Sequence, residues 1–172
     1  MKNLKLFCIA AISALSLNLG YAQAAKIDKK ATKAAEVKRI ITSNNYVFKA
    51  NYAIPMSMAA GPLNSANYDV TVNNGQLEVY LPYFGRAFAA PRNLGTDGGI
   101  KLNTKDYDYT SVVNKKGGWD ISIKPKRTEL NTNSDVQQMK LNVGKDGYAT
   151  MYITSLHRQP ITFNGYVEEV KK

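Results

Sequence analysis

Apolar and polar residues alternate with a period of two from Tyr46 almost to the C-terminus. The clearest blocks are Gln76–Leu81, Trp119–Lys124 and Ala149–Ile153, in which every second side chain is apolar. Successive side chains of a β-strand point to opposite faces, so this pattern predicts strands with one dry face and one solvent face. Such strands are typical of antiparallel sheets, and too few helical segments separate them for a parallel sheet.

Turn signals separate these blocks. Asn74-Gly75 and Asp146-Gly147 are two-residue hairpin signals, because these residue types tolerate positive φ. Lys116-Gly117-Gly118 indicates a third turn, and Gly61-Pro62 and Pro91–Gly95 indicate longer loops. The sequence therefore predicts a mainly β fold of about nine strands, an antiparallel up-and-down barrel or closed meander. A two-sheet β-sandwich is the alternative.

A different pattern precedes the strands. Residues 25–44 contain many alanines and neither proline nor glycine, and we predict one N-terminal helix there. The apolar positions near helical spacing are Ile27, Ala31, Ala34, Val37 and Ile41. Asn44-Asn45 is a plausible stop, and the apolar stripe predicts that the helix packs over a barrel end or a sheet face.

The first 24 residues have the layout of a secretory signal peptide. Lys2 and Lys5 precede an uncharged apolar run from Leu6 to Leu19, and Ala22-Gln23-Ala24 follows. The run is shorter than the roughly 20 residues of a membrane-spanning helix. We therefore predict cleavage after Ala24, export to the periplasm or beyond the cell, and a single β domain over residues 25–172, with strands from 45 to 170.

The only cysteine, Cys8, lies inside the apolar run. A lipid-attachment cysteine would follow the run, after small residues, so Cys8 does not fit that role. We expect it to be removed with the signal peptide, which leaves the exported chain without a disulfide or a reactive thiol.

The chain is basic, with a net charge of +10 at pH 7. Basic residues are frequent between Lys26 and Arg39, which is typical of a solvated helix face. A sharper interpretation is attraction to an anionic envelope component, such as acidic glycans or lipid headgroups. No nucleic-acid recognition motif is present, and no second apolar run is long enough for a membrane anchor, so we expect neither nucleic-acid binding nor a membrane-spanning chain.

Catalytic signatures are scarce. His157 is the only histidine, and Ser155 nearby lacks the Gly-x-Ser-x-Gly context of a nucleophile. The sequence predicts no metal site and no cofactor, and hence a protein that is not an enzyme. The alternative is a glycan-directed hydrolase that uses the paired aspartates Asp106 and Asp108.

Nine of the 11 tyrosines lie on predicted strands and divide into two groups. Those expected in the core, on apolar faces, are Tyr46, Tyr52, Tyr68, Tyr107 and Tyr109. Those expected on the polar faces are Tyr80, Tyr148, Tyr152 and Tyr166. Exposed aromatic rings stack on sugars and partner proteins, although cross-strand ladders that stabilise a sheet are the simpler explanation.

The segment from Leu81 to Pro91 has the least common composition in the chain. We expect it to bind a small ligand, a glycan or a partner protein at the cell envelope, with Tyr83, Phe84 and Phe88 as apolar anchors and Arg86 as the polar or anion contact. The alternative is a structural loop on the core, with Phe84 as a plug and Arg86 bound to backbone carbonyls.

Three segments together are distinctive: Leu81–Pro91, Asp97–Leu102 and Ser155–Gly165. With these motifs the chain resembles the bacterial family called domain of unknown function 4251, over roughly residues 33–167. The resemblance implies an exported protein without an assigned activity, so it transfers no catalytic residue. Members are often lipoproteins, and this chain differs because it lacks a lipid-attachment cysteine.

Overall fold

The computed structural model describes residues 29–89, 98–126 and 135–170. The predicted signal peptide, its cleavage after Ala24 and Cys8 lie outside these ranges, as do the last two residues of the Leu81–Pro91 segment. One helix, α1, covers residues 29–42. No helix within the described ranges is both long and apolar enough to cross a membrane.

Ten strands follow the helix. They are β1 (Tyr46–Pro55), β2 (Gly61–Pro62), β3 (Asp69–Asn73), β4 (Gln76–Leu81), β5 (Ile100–Thr104), β6 (Tyr107–Val113), β7 (Trp119–Pro125), β8 (Val136–Val143), β9 (Tyr148–Ser155) and β10 (Ile161–Glu169). Nine of them form one antiparallel sheet in the order β5-β4-β3-β1-β10-β9-β8-β7-β6, and the short β2 pairs with β1. The sheet is nearly closed and barrel-like, which confirms the barrel prediction over the sandwich.

The chain itself brings the two edges of the sheet together. The edge strands β5 and β6 follow one another directly, with only residues 105 and 106 between them. Two residues cannot span the width of an open nine-stranded sheet, so the sheet must curl back on itself. Inside the curl, the hydroxyl oxygen of Tyr46 on β1 lies 3.4 Å from that of Tyr109 on β6.

Side chains from α1 and from every long strand pack into one core. Its largest fully buried members include Tyr46, Phe48, Leu77, Ile123, Met151 and Phe163. Alternation of buried and exposed positions is clear in β4, β5, β7 and β9. The period-two pattern of the sequence therefore reflects the inner and outer faces of the barrel wall.

A β-bulge overturns one of the tyrosine predictions. The register between β1 and β10 shifts between Ala50 and Tyr52, so Asn51 is an extra residue on β1. An extra residue moves every following side chain to the other face, and Ala53 takes the buried position in place of Tyr52, which is exposed. The prediction that Tyr52 lies in the core was wrong, because a period of two holds only in an unbroken ladder.

Only one of the two predicted two-residue hairpins has the expected geometry. Asn74 and Gly75 both have positive φ, of 49° and 77°, as a tight hairpin requires. At Asp146-Gly147 only the glycine is positive, with φ of 86°, and the N–H of Gly147 donates to the carbonyl of Gly144. That turn therefore spans residues 144–147, one residue earlier than predicted, and ends in a left-handed glycine.

The helix closes one end of the barrel. Val37, Ile40 and Ile41 are buried in the common core, and Asn44 just beyond the helix has a positive φ of 52°. Arg39 donates two hydrogen bonds, of 2.9 and 2.7 Å, to the carboxylate of Glu169 on β10. The expected packing over a barrel end is thus present at Val37 and Ile41, whereas Ala31 of the predicted stripe is exposed and Ile27 lies outside the described residues.

The burial of Tyr46 makes the stability of the fold depend on pH in the alkaline range. Burial raises the pKa of Tyr46 well above its usual value, and the neighbouring Tyr109 raises it further. A tyrosine with a raised pKa in the folded state stabilises the fold below about pH 10, and this contribution is lost as pH rises further, by up to about 1.4 kcal/mol per pH unit.

We expect Tyr46→Phe to make the decrease in the free energy of unfolding above pH 10 less steep. Urea unfolding between pH 8 and pH 11 should show a free energy of unfolding that falls more steeply above pH 10 for the wild type than for Tyr46→Phe. The exposed Tyr148→Phe is the control and should follow the wild type. Parallel curves for wild type and Tyr46→Phe would show that Tyr46 ionises as freely in the folded chain as in the unfolded one.

Candidate functional site

The loop that follows β4 lies at the barrel end opposite α1, and local chemistry fixes its shape. The strand ends at the buried Leu81, because Pro82 has no N–H to continue the ladder. Gly85 has a φ of 140°, and a Cβ there would approach the hydroxyl of Tyr83 to 2.9 Å. The loop therefore requires glycine at this position.

Backbone pairing attaches this loop to the connection between β9 and β10. Ala87 and Arg158 form an isolated antiparallel bridge. The N–H of Phe88 donates to the carbonyl of His157 at 2.6 Å, and the N–H of Gln159 donates to that of Arg86 at 3.0 Å. The loop is thus held at two points, and its side chains project from a fixed backbone.

Tyr83 forms contacts inside this assembly. Its hydroxyl shares its one proton between the carbonyl of Arg86, at 2.9 Å, and that of Gln159, at 3.2 Å. Its ring lies under the guanidinium of Arg158, 5.1 Å from ring centroid to guanidinium carbon. Burial raises the pKa of Tyr83. Of the four predicted binding residues, Tyr83 is therefore the one whose contacts hold the loop in position.

Arg158 joins three separate connections of the barrel. Its Nε donates to the carboxylate of Asp135, just before β8, at 3.0 Å. Its Nη1 donates to the carbonyls of Gly98 and Gly99, just before β5, at 2.8 and 3.1 Å. The side chains of Arg158 and Asp135 are only 13% and 15% exposed, so this ion pair is shielded from solvent.

Four large apolar side chains are exposed around this assembly. They are Met56, Met58, Phe84 and Phe88, and together with Arg86 we call them the distal surface. Met56 is 72% exposed and Phe88 is 70% exposed.

Gln159 ties the two segments of the distal surface together. Its Oε1 accepts hydrogen bonds from the hydroxyl of Ser57 at 2.7 Å and from the N–H of Arg86 at 3.2 Å. Because Ser57 lies between the two methionines, these bonds hold Met56 and Met58 beside the loop of Phe84 and Phe88.

The structure distinguishes between the two roles predicted for this loop, a binding site and a structural loop on the core. Phe84, Arg86 and Phe88 are exposed, whereas the carbonyl-binding role that Arg86 would have in a structural loop belongs to Arg158. The central role of Arg158 was not predicted from the sequence, although this residue lies in one of the distinctive motifs. Met56 and Met58 were not predicted either, because they follow the bulged strand β1 and belong to no apolar alternation.

The two aspartates of the hydrolase alternative lie on an exposed edge. Asp106 precedes β6, in the two-residue link, and Asp108 lies on β6 opposite Lys124. The carboxylate of Asp108 forms an ion pair with Lys126 at 3.2 Å. Both aspartates are exposed.

Candidate metal ligands are dispersed. Within residues 29–89, 98–126 and 135–170, no three or more histidine, cysteine, aspartate or glutamate side chains are grouped as a metal site. His157 is exposed at the distal end of the barrel.

Comparisons with known proteins agree with the fold and assign no activity. No functionally curated protein matches the chain. A crystal structure of a DUF4251 family protein from Bacteroides eggerthii DSM 20697 is similar, with a TM-score of 0.55 and 17% sequence identity over 80% of this chain and 88% of that chain. The family model "Domain of unknown function (DUF4251)" matches residues 28–167. The chain therefore belongs to the DUF4251 family, as its three distinctive motifs predicted.

Proposed function

We propose that this chain is an exported, non-catalytic protein of the cell envelope, which docks through its distal surface onto an anionic lipid surface. The observation that carries the proposal is the exposure of four large apolar side chains around one arginine at a single end of the barrel. Contiguous exposed apolar side chains on a folded domain are typical of sites that meet a membrane or a partner.

The charges around the distal surface support a lipid partner with negative headgroups. The segments 54–63, 82–89 and 156–160 contain no aspartate or glutamate. Asp135, a carboxylate close to this end, is paired with Arg158. Arg86 is exposed, and the whole chain has a net charge of +10. Apolar insertion combined with basic contacts is the usual chemistry of peripheral membrane binding.

Export and the lack of catalysis belong to the same proposal. The basic start, the apolar run and Ala22-Gln23-Ala24 support cleavage after Ala24 and release outside the cytoplasm. N-terminal sequencing of the exported protein should begin at Ala25. A non-catalytic role is supported by the single histidine and by the solvent-exposed ion pair of Asp108 with Lys126.

Vesicle cosedimentation tests the docking. Purified protein is mixed with vesicles of phosphatidylglycerol and phosphatidylethanolamine, or of phosphatidylcholine alone. We expect Phe88→Ser to weaken binding to anionic vesicles by roughly tenfold, because burial of a phenylalanine side chain contributes about 1.5–3 kcal/mol. Arg86→Ala should weaken binding by roughly fivefold on anionic vesicles and leave the weaker binding to phosphatidylcholine unchanged.

A matched control removes exposed apolar side chains elsewhere. Val112 and Val113 are exposed on β6, outside the distal surface. The double variant Val112→Ser, Val113→Ser should bind like the wild type. Equal binding of the wild type and Phe88→Ser to anionic vesicles would refute the proposed docking surface.

A further inference from the structure

A second surface, at the helix end of the barrel, combines a cleft with exposed tyrosine rings. The cleft has a volume of about 230 Å³ and lies between α1 and the β8–β9 turn. Its walls include Lys33, Asp146, Tyr148, Tyr166 and Glu168. We call the surface formed by these residues the helix cleft. A neighbouring cavity of about 340 Å³ shares Lys33 and Glu168 and extends the cleft along the end of β10.

The two tyrosines form an aromatic wall on the outside of the barrel. Tyr148 on β9 and Tyr166 on β10 are direct cross-strand partners. Tyr148 is 68% exposed and Tyr166 is 37% exposed. Among the described residues the ring–ring contact is the tilted pair of Tyr68 with Tyr80, whose centroids lie 5.8 Å apart, and the rings of Tyr148 and Tyr166 form no such contact. Ring stacking across the strands therefore does not explain why tyrosines occupy these two positions.

The polar groups around these rings suit a ligand rich in hydroxyl groups. The carboxylate of Glu168 forms no hydrogen bond or ion pair within the described ranges. Lys33 is exposed and pairs with Glu36 at 3.0 Å. A free carboxylate and an ammonium beside flat rings can bind adjacent hydroxyls while the rings stack on C–H groups, which is the chemistry of a pyranose ring.

Local charge limits the class of sugar. The walls of the two cavities contain four carboxylates, of which Glu36 pairs with Lys33 and Glu169 with Arg39. The carboxylates of Asp146 and Glu168 form no ion pair within the described ranges. This excess of negative charge is opposite to the net charge of the whole chain. Repulsion by these carboxylates disfavours the binding of acidic glycans. Neutral glycans are not repelled, and their hydroxyls both donate and accept hydrogen bonds.

We propose that the helix cleft is a binding site for a neutral glycan chain, which stacks on Tyr148 and Tyr166 and bonds to Glu168. This inference goes beyond the docking role, because the helix cleft and the distal surface share no residue and lie at opposite ends of the barrel. Each can therefore fail without the other.

Nuclear magnetic resonance titration tests the site. Cellohexaose, maltohexaose, mannohexaose and chitohexaose are added separately to ¹⁵N-labelled protein. We expect at least one of them to give saturable shifts at the amides of Lys33, Gly147 and Glu168. Tyr148→Ala should raise the dissociation constant of that sugar by roughly fivefold or more, because a stacking surface is lost.

Control variants separate binding from folding. Tyr80→Ala removes a ring that is 39% exposed, close to the 37% of Tyr166, from β4, which does not line the cleft, and should leave the dissociation constant unchanged. Glu168→Gln keeps the shape of the side chain and should weaken binding without changing the melting temperature. Absence of saturable shifts with all four sugars, or shifts that avoid the cleft, would overturn the proposal.

Discussion

Gly165→Ala should destabilise the protein by about 3 kcal/mol, at the upper end of the cost of overpacking. Gly165 lies on β10 opposite Ala50, next to the β-bulge in β1. A Cβ on Gly165 would overlap the carbonyl oxygen of Lys49 and lie 3.1 Å from the Cα of Ala50. Both obstacles are backbone atoms of central strands, so no side chain can rotate away to relieve the overlap.

Gly61→Ala is the matched control for this prediction. Gly61 lies on the short β2, where an added Cβ would meet nothing within 4 Å. Its effect on the free energy of unfolding should stay within about 0.5 kcal/mol. Urea unfolding of both variants at pH 7 measures the difference. Equal stability of the two would show that the strands at the bulge separate more easily than their backbone contacts indicate.

Arg158→Ala should lower the free energy of unfolding by about 3 kcal/mol and the melting temperature by roughly 10 °C. The change removes the shielded ion pair with Asp135, the bonds to the carbonyls of Gly98 and Gly99, and the contact with the ring of Tyr83. Most of the cost comes from the carboxylate of Asp135, which would remain largely buried without a partner.

Two other substitutions sharpen this prediction. Arg86→Ala removes an exposed arginine from the same end of the barrel and should change stability by less than about 0.5 kcal/mol. Arg158→Lys keeps the charge but cannot reproduce the forked geometry of the guanidinium, so it should lie between Arg158→Ala and the wild type. Scanning calorimetry ranks the three variants. A melting temperature for Arg158→Ala equal to that of Arg86→Ala would contradict the role given to Arg158.

The sequence predicted the strands well, because alternation of side chains is a local consequence of extended backbone. The predictions that failed depend on residues outside the local pattern. Tyr52 is outside because Asn51 is an inserted residue in the β1–β10 ladder, and insertions of this kind depend on the partner strand. The turn at Asp146-Gly147 differs because its hydrogen bond starts at Gly144, which the dipeptide alone does not reveal.

The binding surfaces were predictable only in part. Unusual composition identified the loop with Phe84, Arg86 and Phe88, but composition could not tell which arginine is exposed and which is enclosed. Arg158 is enclosed because Asp135 and two glycine carbonyls converge on it from distant parts of the sequence. The helix cleft depends in the same way on how α1 meets a hairpin more than 100 residues away, which is a property of the tertiary fold alone.

The depth of residue 88 on a vesicle surface tests the docking proposal most directly. Cys8 is the only cysteine, so residues 25–172 contain none, and Phe88→Cys accepts one environment-sensitive fluorescent label. With anionic vesicles, we expect the emission of this label to shift to the blue and to be quenched by brominated acyl chains. The same label at Tyr148→Cys, at the helix end, should show neither change. A label at position 88 that keeps its aqueous emission while the protein sediments with the vesicles would contradict docking through the distal surface.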